Sequence, residues 1–248
     1  MTSSPGSASE FSEESLFAGR LSCRQPRRGY RYSLDAVLLA HFLVPKRRDR
    51  ILDLCAGCGI VSLLLAYRWP EIRLTALEVQ PRLAGLIREN SETNGLSGRM
   101  EAVTGDCRRI GELLAPGSFD CLVCNPPYRR LASGRQNPHS EEAIARHELR
   151  ADLETVLAAA AHALRTGGRA VFVYPAARAA SLLAGLAAHA FAAKRLRVVH
   201  SHPGDQGRLV LVEAAKNGGE GLTILPPLHV YQHRGGEYTA EMAAFYAP

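Results

Sequence analysis

Asn125-Pro126-Pro127-Tyr128 follows directly on the apolar run Phe119 to Cys124, and its residue types suit a site that holds a flat, conjugated amine. The lone pair of such an amine is delocalised into its ring, so the nitrogen must become tetrahedral as it attacks an electrophile. Acceptors aimed at the two amine hydrogens favour that change. The Asn125 side-chain oxygen and the Pro126 carbonyl are candidates, and neither Pro126 nor Pro127 carries an N–H that would compete. Tyr128 offers a flat face on which a base can stack. A proline-bearing turn with a capping Asn and a surface Tyr has the same composition, so the motif gains force only from its companion.

That companion is Ile51-Leu52-Asp53-Leu54-Cys55-Ala56-Gly57-Cys58-Gly59-Ile60, an apolar strand that enters a tight glycine turn and then the apolar helix Val61 to Tyr67. Gly57 and Gly59 let backbone approach a ligand closely. Asp53 stands where a carboxylate either fixes that turn or reaches a ligand's ammonium through water. Glu78 ends the next strand about 20 residues after the glycines, the expected place for an acid that accepts ribose hydroxyls. Asp106 follows the third strand in Thr104-Gly105-Asp106-Cys107. A strand-end Glu is often only solvated, and an Asp before a helix is often a cap. Here both fall where a crevice is expected.

Composition narrows the classes. At 248 residues and 46% hydrophobic, the chain can bury a full core. Its longest apolar stretches, such as Ala36 to Ala40, fall far short of the ~20 residues that cross a bilayer. Residues 1–15 are rich in Ser, Glu and Gly and read as a disordered tail without a secretion signal, which makes the cytoplasm the default. The net charge is +6, and the cations are mostly Arg, a modest tilt toward phosphate. Six cysteines include the Cys55/Cys58 and Cys121/Cys124 pairs, a spacing that ordinarily raises a zinc site. Alternation along a strand sends Cys121 and Cys124 to opposite faces, and Cys55 and Cys58 flank the ligand turn, so buried packing thiols and no metal are expected.

The elements that must position these residues alternate. A helix from about Leu34 to Leu43 follows Ser33; the strands are Arg50 to Leu54, Ile72 to Glu78, Met100 to Thr104, Phe119 to Cys124 and Ala170 to Tyr174, the last after an alanine-rich helix stopped by Gly167-Gly168. Such a βαβ series implies a parallel sheet with helices on both faces and a ligand crevice at the carboxyl ends of its strands. Lys194 to Ser201 and Arg208 to Ala214 then read as a hairpin without a crossover helix. This finish resembles the class I S-adenosylmethionine-dependent methyltransferase fold, an α/β Rossmann-like, mostly parallel seven-stranded sheet with an antiparallel final hairpin. The expected organisation is a tail (1–15), an N-terminal extension over the active site (16–48), the methyltransferase domain (49–216) and a C-terminal extension (217–248).

In that fold the cofactor set is expected to be Asp53, Cys55, Gly57, Gly59, Glu78, Val79, Asp106, Cys107 and Asn125, with Asp106 and the next backbone amide reading the adenine edge of S-adenosylmethionine. The Asn-Pro-Pro-Tyr motif resembles three acceptor classes: adenine N6 in nucleic acids, guanine N2 in ribosomal RNA and a glutamine amide in release factors. A release-factor enzyme would be expected to carry a sizeable helical domain ahead of the glycine turn, where only residues 1–49 stand, and a DNA adenine enzyme a separate recognition domain. Over most of its length the chain resembles the bacterial tRNA1(Val) adenine-37 N6-methyltransferase family. The carrying residues are Gly29-Tyr30-Arg31-Tyr32-Ser33-Leu34-Asp35-Ala36, Asp53 to Gly59, Asn125 to Tyr128, Ala145-Arg146-His147-Glu148 and Leu225 to Tyr231. The resemblance implies methyl transfer from S-adenosylmethionine to an adenine of tRNA; an RNA-binding module without catalysis is the non-enzymatic alternative. Arg27, Arg28, Arg31, Arg129, Arg130 and Arg135 are the candidates for RNA phosphate, and His147 either contacts RNA or caps a helix. Lys46, Arg47, Arg48 and Arg50, at the amino end of the first strand, are expected only to solvate it.

Overall fold

The computed structural model describes residues 10–28, 31–126 and 153–247. Its elements are β1 (Phe11–Leu16), β2 (Leu21–Pro26), α1 (Leu34–Phe42), β3 (Arg50–Leu54), α2 (Ile60–Arg68), β4 (Arg73–Glu78), α3 (Pro81–Thr93), β5 (Met100–Thr104), α4 (Ile110–Leu113) and β6 (Phe119–Cys124). They continue with α5 (Leu153–Ala163), β7 (Leu164–Pro175), α6 (Ala179–Ala188), β8 (Phe191–His200), β9 (Gly207–Lys216), β10 (Thr223–Ile224), β11 (Leu228–His229) and α7 (Ala240–Ala244). The main sheet runs β10-β8-β9-β7-β6-β3-β4-β5, with β11 also on β8. Only β9 is antiparallel to its neighbours β7 and β8.

A sheet covered on both faces must be apolar on both, and Ile51, Leu52, Asp53 and Leu54 of β3 are all buried. Alternation then splits the core in two. Ile51, Cys121 and Val123 pack with α1, α2 and α3 on one face. Leu52, Leu54, Leu122 and Cys124 pack with α5 and α6 on the other. Helix α3 starts on Pro81, whose missing N–H costs nothing there, and stops at Asn94 and Gly95, the latter at φ +68°.

Residues 11–15, expected within a disordered tail, instead form β1, which pairs antiparallel with β2. The connecting turn puts Phe17 and Ala18 at φ +52°, a strained conformation for residues with a Cβ. Phe17 is buried, with its ring stacked on Tyr67 at 4.4 Å. Two further boundaries differ. The alanine-rich helix ends at Ala163, and the following strand spans Leu164–Pro175, because Gly167 and Gly168 sit inside a long strand end rather than capping the helix. The seven expected strands are also joined by β10 and β11, which lie parallel on the outer edge of β8. Among the described residues, no helix is long and apolar enough to cross a membrane.

The C-terminal segment closes over α1, with Phe245 stacked on His41 at 4.2 Å. Burial, helped by the nearby Arg68 charge, lowers the His41 pKa to about 4. The unfolded chain takes up this proton near 6.5 and the folded chain only near 4, so falling pH favours unfolding across that window. The melting temperature should therefore drop as pH falls from 6.5 to 4, and His41→Phe, which keeps the ring stack, should make that drop shallower. An identical pH profile in the variant would assign the acid sensitivity to other groups.

Candidate functional site

Strand register assembles the site. Leu54 pairs with Cys124 on one side and Leu77 on the other, and Glu78 pairs with Thr104. One residue further along, Asn125, Cys55, Glu78 and Thr104 stand in a row across β6, β3, β4 and β5, stepping about 4.8 Å per strand. All four lie at the carboxyl ends of parallel strands, where the connections leave the sheet and a crevice opens.

The glycine turn is a run of left-handed backbone: Cys55 at φ +64°, Gly57 at +60° and Gly59 at +82°. A Cβ on Gly59 would come within 3.1 Å of Ile87 and Met100, so this position needs glycine for space as well as conformation. Glu78 is buried, and its carboxylate accepts the Gly57 N–H at 2.8 Å and the Gln80 N–H at 3.0 Å. A carboxylate has about four acceptor positions, so these bonds orient Glu78 without exhausting it. Val79, partly exposed, follows it on the crevice rim.

Asp53 points away from the crevice. Its Oδ2 accepts the Ser62 N–H at 3.1 Å and the Ser62 hydroxyl at 2.8 Å. Helix α2 has Gly59 as its N-cap and no side-chain cap of its own, so Asp53 supplies the acceptor that the first turn lacks. Of the two roles expected for Asp53, the contacts are those of fixing the turn. Burial raises its pKa to about 6, against the pull of the Ser62 bonds. Asp106 caps the single 3-10 turn Cys107–Arg109: Oδ1 accepts the Arg108 N–H at 2.9 Å, and Oδ2 accepts from the Arg108 guanidinium, including its Nε at 2.8 Å. That guanidinium holds the Asp106 carboxyl below its usual range.

Cys107 and Cys124 lie with Cys55 beneath this turn. Contact with Cys55, then burial, raises the Cys107 pKa, and burial raises that of Cys124 and pushes Cys121 up to about 12. Cys121 and Cys124 face opposite cores. Among the described residues, no three His, Cys, Asp or Glu side chains are grouped to hold a metal ion.

Asn125 is partly exposed and Pro126 buried at the end of β6. Pro127, Tyr128, Arg129, Arg130, Arg135 and His147 lie outside the described residues. Arg27 and Arg28 are exposed at the open end of the hairpin, which meets the first turn of α3 through Arg82, over the Phe11 ring at 5.0 Å and paired with Glu10. That turn follows the carboxyl end of β4, so these arginines stand on the crevice side. Arg31 is there too, but paired with Glu14, whose carboxylate also receives the Tyr32 hydroxyl and the Gln25 amide.

Two residues outside the expected set prove central. Asn90 of α3, buried, accepts the Arg24 N–H at 2.7 Å and donates to the carbonyls of Arg24 and of Cys58, each at 2.9 Å. Asn94, one turn on, makes the same paired contact with the backbone of Ser22. Two carboxamides thus play the part of a third strand along β2 and tie the hairpin to the glycine turn. Glu14 is the second, as the acid on which Gln25, Arg31 and Tyr32 converge. The i, i+4 pair of asparagines was the available signal for the first; Glu14 gave none, since its stretch is polar and short. Asn90→Ala should cost about 1–3 kcal/mol in urea unfolding, as the buried Cys58 carbonyl and two part-buried Arg24 backbone groups lose their partner, and should expose the hairpin to limited proteolysis. Wild-type stability with an intact hairpin would remove Asn90 from this role.

Comparison with known proteins agrees with the geometry. The family model described as methyltransferase small domain matches residues 34–187. A tRNA1(Val) (adenine(37)-N6)-methyltransferase of Bacteroides thetaiotaomicron is 30% identical over 212 residues, covering 84% of this chain and 87% of that protein. Another, of Porphyromonas gingivalis, is 29% identical over 164 residues, 65% of this chain, and the match spans 64% of that relative's length. Among solved structures, a predicted O-methyltransferase from Agrobacterium tumefaciens superposes with TM-score 0.70 at 24% identity, covering 86% of this chain and 95% of that one. Geranyl diphosphate C-methyltransferase from Streptomyces coelicolor gives 0.54 at 12% identity, with 74% and 80% covered. The fold is that of class I methyltransferases, and the chain belongs to the methyltransferase small domain family.

Proposed function

We propose that the protein transfers a methyl group from S-adenosylmethionine to the exocyclic N6 amine of an adenine in RNA, at position 37 of a tRNA anticodon loop, and that it does so in the cytoplasm. The observation that carries this reading is the row that sets Asn125 beside the glycine turn and Glu78, in a chain whose named relatives methylate that adenine. In this reading residues 49–216 are the catalytic domain, 16–48 cover its active site and 217–248 complete it.

The residues present fit the cofactor. Glu78 is a buried carboxylate already turned toward the crevice by Gly57 and Gln80, suited to a ribose diol. The left-handed turn at Gly57 and Gly59 gives close backbone approach, and Asp106 with the Cys107 amide stands at the next strand end, where an adenine would compete with Arg108 for the carboxylate. When bound, S-adenosylmethionine supplies a methyl group activated by its sulfonium. The chain's own part is to prepare the acceptor. The Asn125 side-chain oxygen and the Pro126 carbonyl accept the two amine hydrogens, which draws the nitrogen lone pair out of the ring; Tyr128 supplies a stacking face. Arg27 and Arg28 on the hairpin rim, with Arg129, Arg130 and Arg135 after the motif and His147 beyond them, hold the RNA backbone. A base in a loop can be splayed into such a site without opening a duplex.

Labelled methyl from S-adenosylmethionine should appear in an unmodified tRNA transcript and map to N6 of adenine 37 after nuclease digestion. Label on guanine N2, or on a protein glutamine, would overturn the substrate assignment. Asn125→Ala should lower turnover by roughly a hundredfold or more with cofactor affinity intact, as expected when a transition-state acceptor is removed. Glu78→Ala should weaken S-adenosylmethionine binding by about 1.5–3 kcal/mol in calorimetry. Activity within a few-fold of wild type in the first, or unchanged affinity in the second, would reject that residue's role.

A further inference from the structure

At the opposite pole of the sheet stands a group of arginines that enter no ion pair. Parallel strands bring their amino ends together, so Arg50 at the start of β3, Arg73 at the start of β4 and Arg99 just before β5 lie side by side. Arg50 and Arg73 are register partners, and Arg73 and Arg99 line one shallow cleft with Pro70, Glu71, Ile72, Gly95 and Gly98. Lys46, Arg47 and Arg48 project from the preceding loop, all exposed. The carboxylates that enter ion pairs here are already engaged, Glu71 with Arg47 and Asp120 with Arg165. Among the described residues, Arg48, Arg50, Arg73 and Arg99 have no carboxylate within the 4.0 Å of an ion pair.

Elsewhere the arginines that serve the fold look different. Arg169 reaches Asp49 at 3.2 Å and Arg195 reaches Glu213 at 2.7 Å, and both of those acids are buried. At this pole Arg73 reaches the Gly98 carbonyl at 3.4 Å and Arg99 the Trp69 carbonyl at 3.2 Å, while Arg50 lies over the Phe119 ring at 5.6 Å and its backbone N–H donates to Asp120 at 2.9 Å. Unpaired guanidiniums stepping along strand ends, around a concave surface, match a polyanion with regularly spaced phosphates. A membrane surface would call for an amphipathic helix or an apolar insertion beside the charge; strand ends and a loop that offers the single exposed Val44 are neither.

We propose that this pole, built from Arg48, Arg50, Arg73 and Arg99, is a second RNA-backbone contact, distinct from the crevice and opposite to it. It rests on the reading of the crevice as an RNA site. The strands between the two poles are only about 17–20 Å long, so one folded RNA seated at the crevice can reach around to the other end. The contact is electrostatic, without base readout, and serves affinity rather than the chemical step.

The test is tRNA binding by fluorescence anisotropy across a salt series, for wild type and for the triple variant Arg48→Gln/Arg50→Gln/Arg73→Gln, with the Lys triple variant as the charge-retaining control. Arg99 is left in place because it also holds the Trp69 carbonyl. The Gln variant should flatten the slope of log affinity against log salt by roughly one for each phosphate it no longer neutralises, raise KM for tRNA and leave kcat at saturating RNA unchanged. The Lys variant should keep most of the slope. The Gln variant should keep a cooperative melt near that of wild type, because the three side chains are exposed and enter no ion pair. An unchanged slope and KM in the Gln variant would overturn the proposal. So would a loss of binding to phosphatidylserine vesicles in place of tRNA, which would make the partner a membrane. If wild type binds tRNA with the arginine-dependent slope but transfers no methyl to it, the proposed reaction fails and this second RNA contact stands.

Discussion

The parallel, in-register pairing of β6, β3 and β4 is the constraint on which the site depends. Because Leu54 is level with both Cys124 and Leu77, the residues that leave the sheet next are level too, and Asn125, a glycine turn and a strand-end acid emerge side by side. A slip of one residue in any of these pairs would turn side chains to the opposite face and separate the acceptors of Asn125 from the turn at Cys55. The register is pinned from both sides by buried apolar runs, so the two cores that flank the sheet also align the chemistry.

Around that row, polar side chains do the local work of orientation. Asp53 secures the first turn of α2 from below, Glu78 holds the Gly57 N–H from the next strand, and Asn90 holds the Cys58 carbonyl from α3. Three elements therefore grip one left-handed turn, which is how a strained backbone such as that of Cys55 persists. Asn90 extends the grip to the N-terminal hairpin, so the segment that brings Arg27 and Arg28 to the rim is coupled to the glycine turn by the Asn90 carboxamide.

Charge is distributed with the same economy. Acids and bases that pair are concentrated where they fasten segments together: Arg197 with Glu241 at the C-terminal helix, Arg31 with Glu14 at the hairpin, Arg195 with Glu213 between β8 and β9. Most such surface pairs contribute little to stability in water. Arg48, Arg50, Arg73 and Arg99, which enter no ion pair, stand at the strand ends opposite the crevice.

The order of strands and helices, the glycine turn and the antiparallel finish were legible in the sequence, because each is a local signal: apolar periodicity or a backbone conformation that needs glycine. Even so, residues 11–15 looked like a tail, since a short polar strand shows its nature only when Asn90 and Asn94 complete its partner's edge. That Arg50, Arg73 and Arg99 stand at neighbouring strand ends was hidden too, because nothing in one dimension places them beside one another. Which side of its strand each acid served was likewise hidden: Asp53 turned inward to Ser62 and Asp106 was taken by Arg108, while Glu78 alone faced the turn. Sequence alone determined what the elements are and which residues could do chemistry, because those properties reside in single residues and their near neighbours. Tertiary structure decided which of those residues meet, because a hydrogen bond or a charge contact depends on the register between strands far apart in the chain, and only the packed core sets that register.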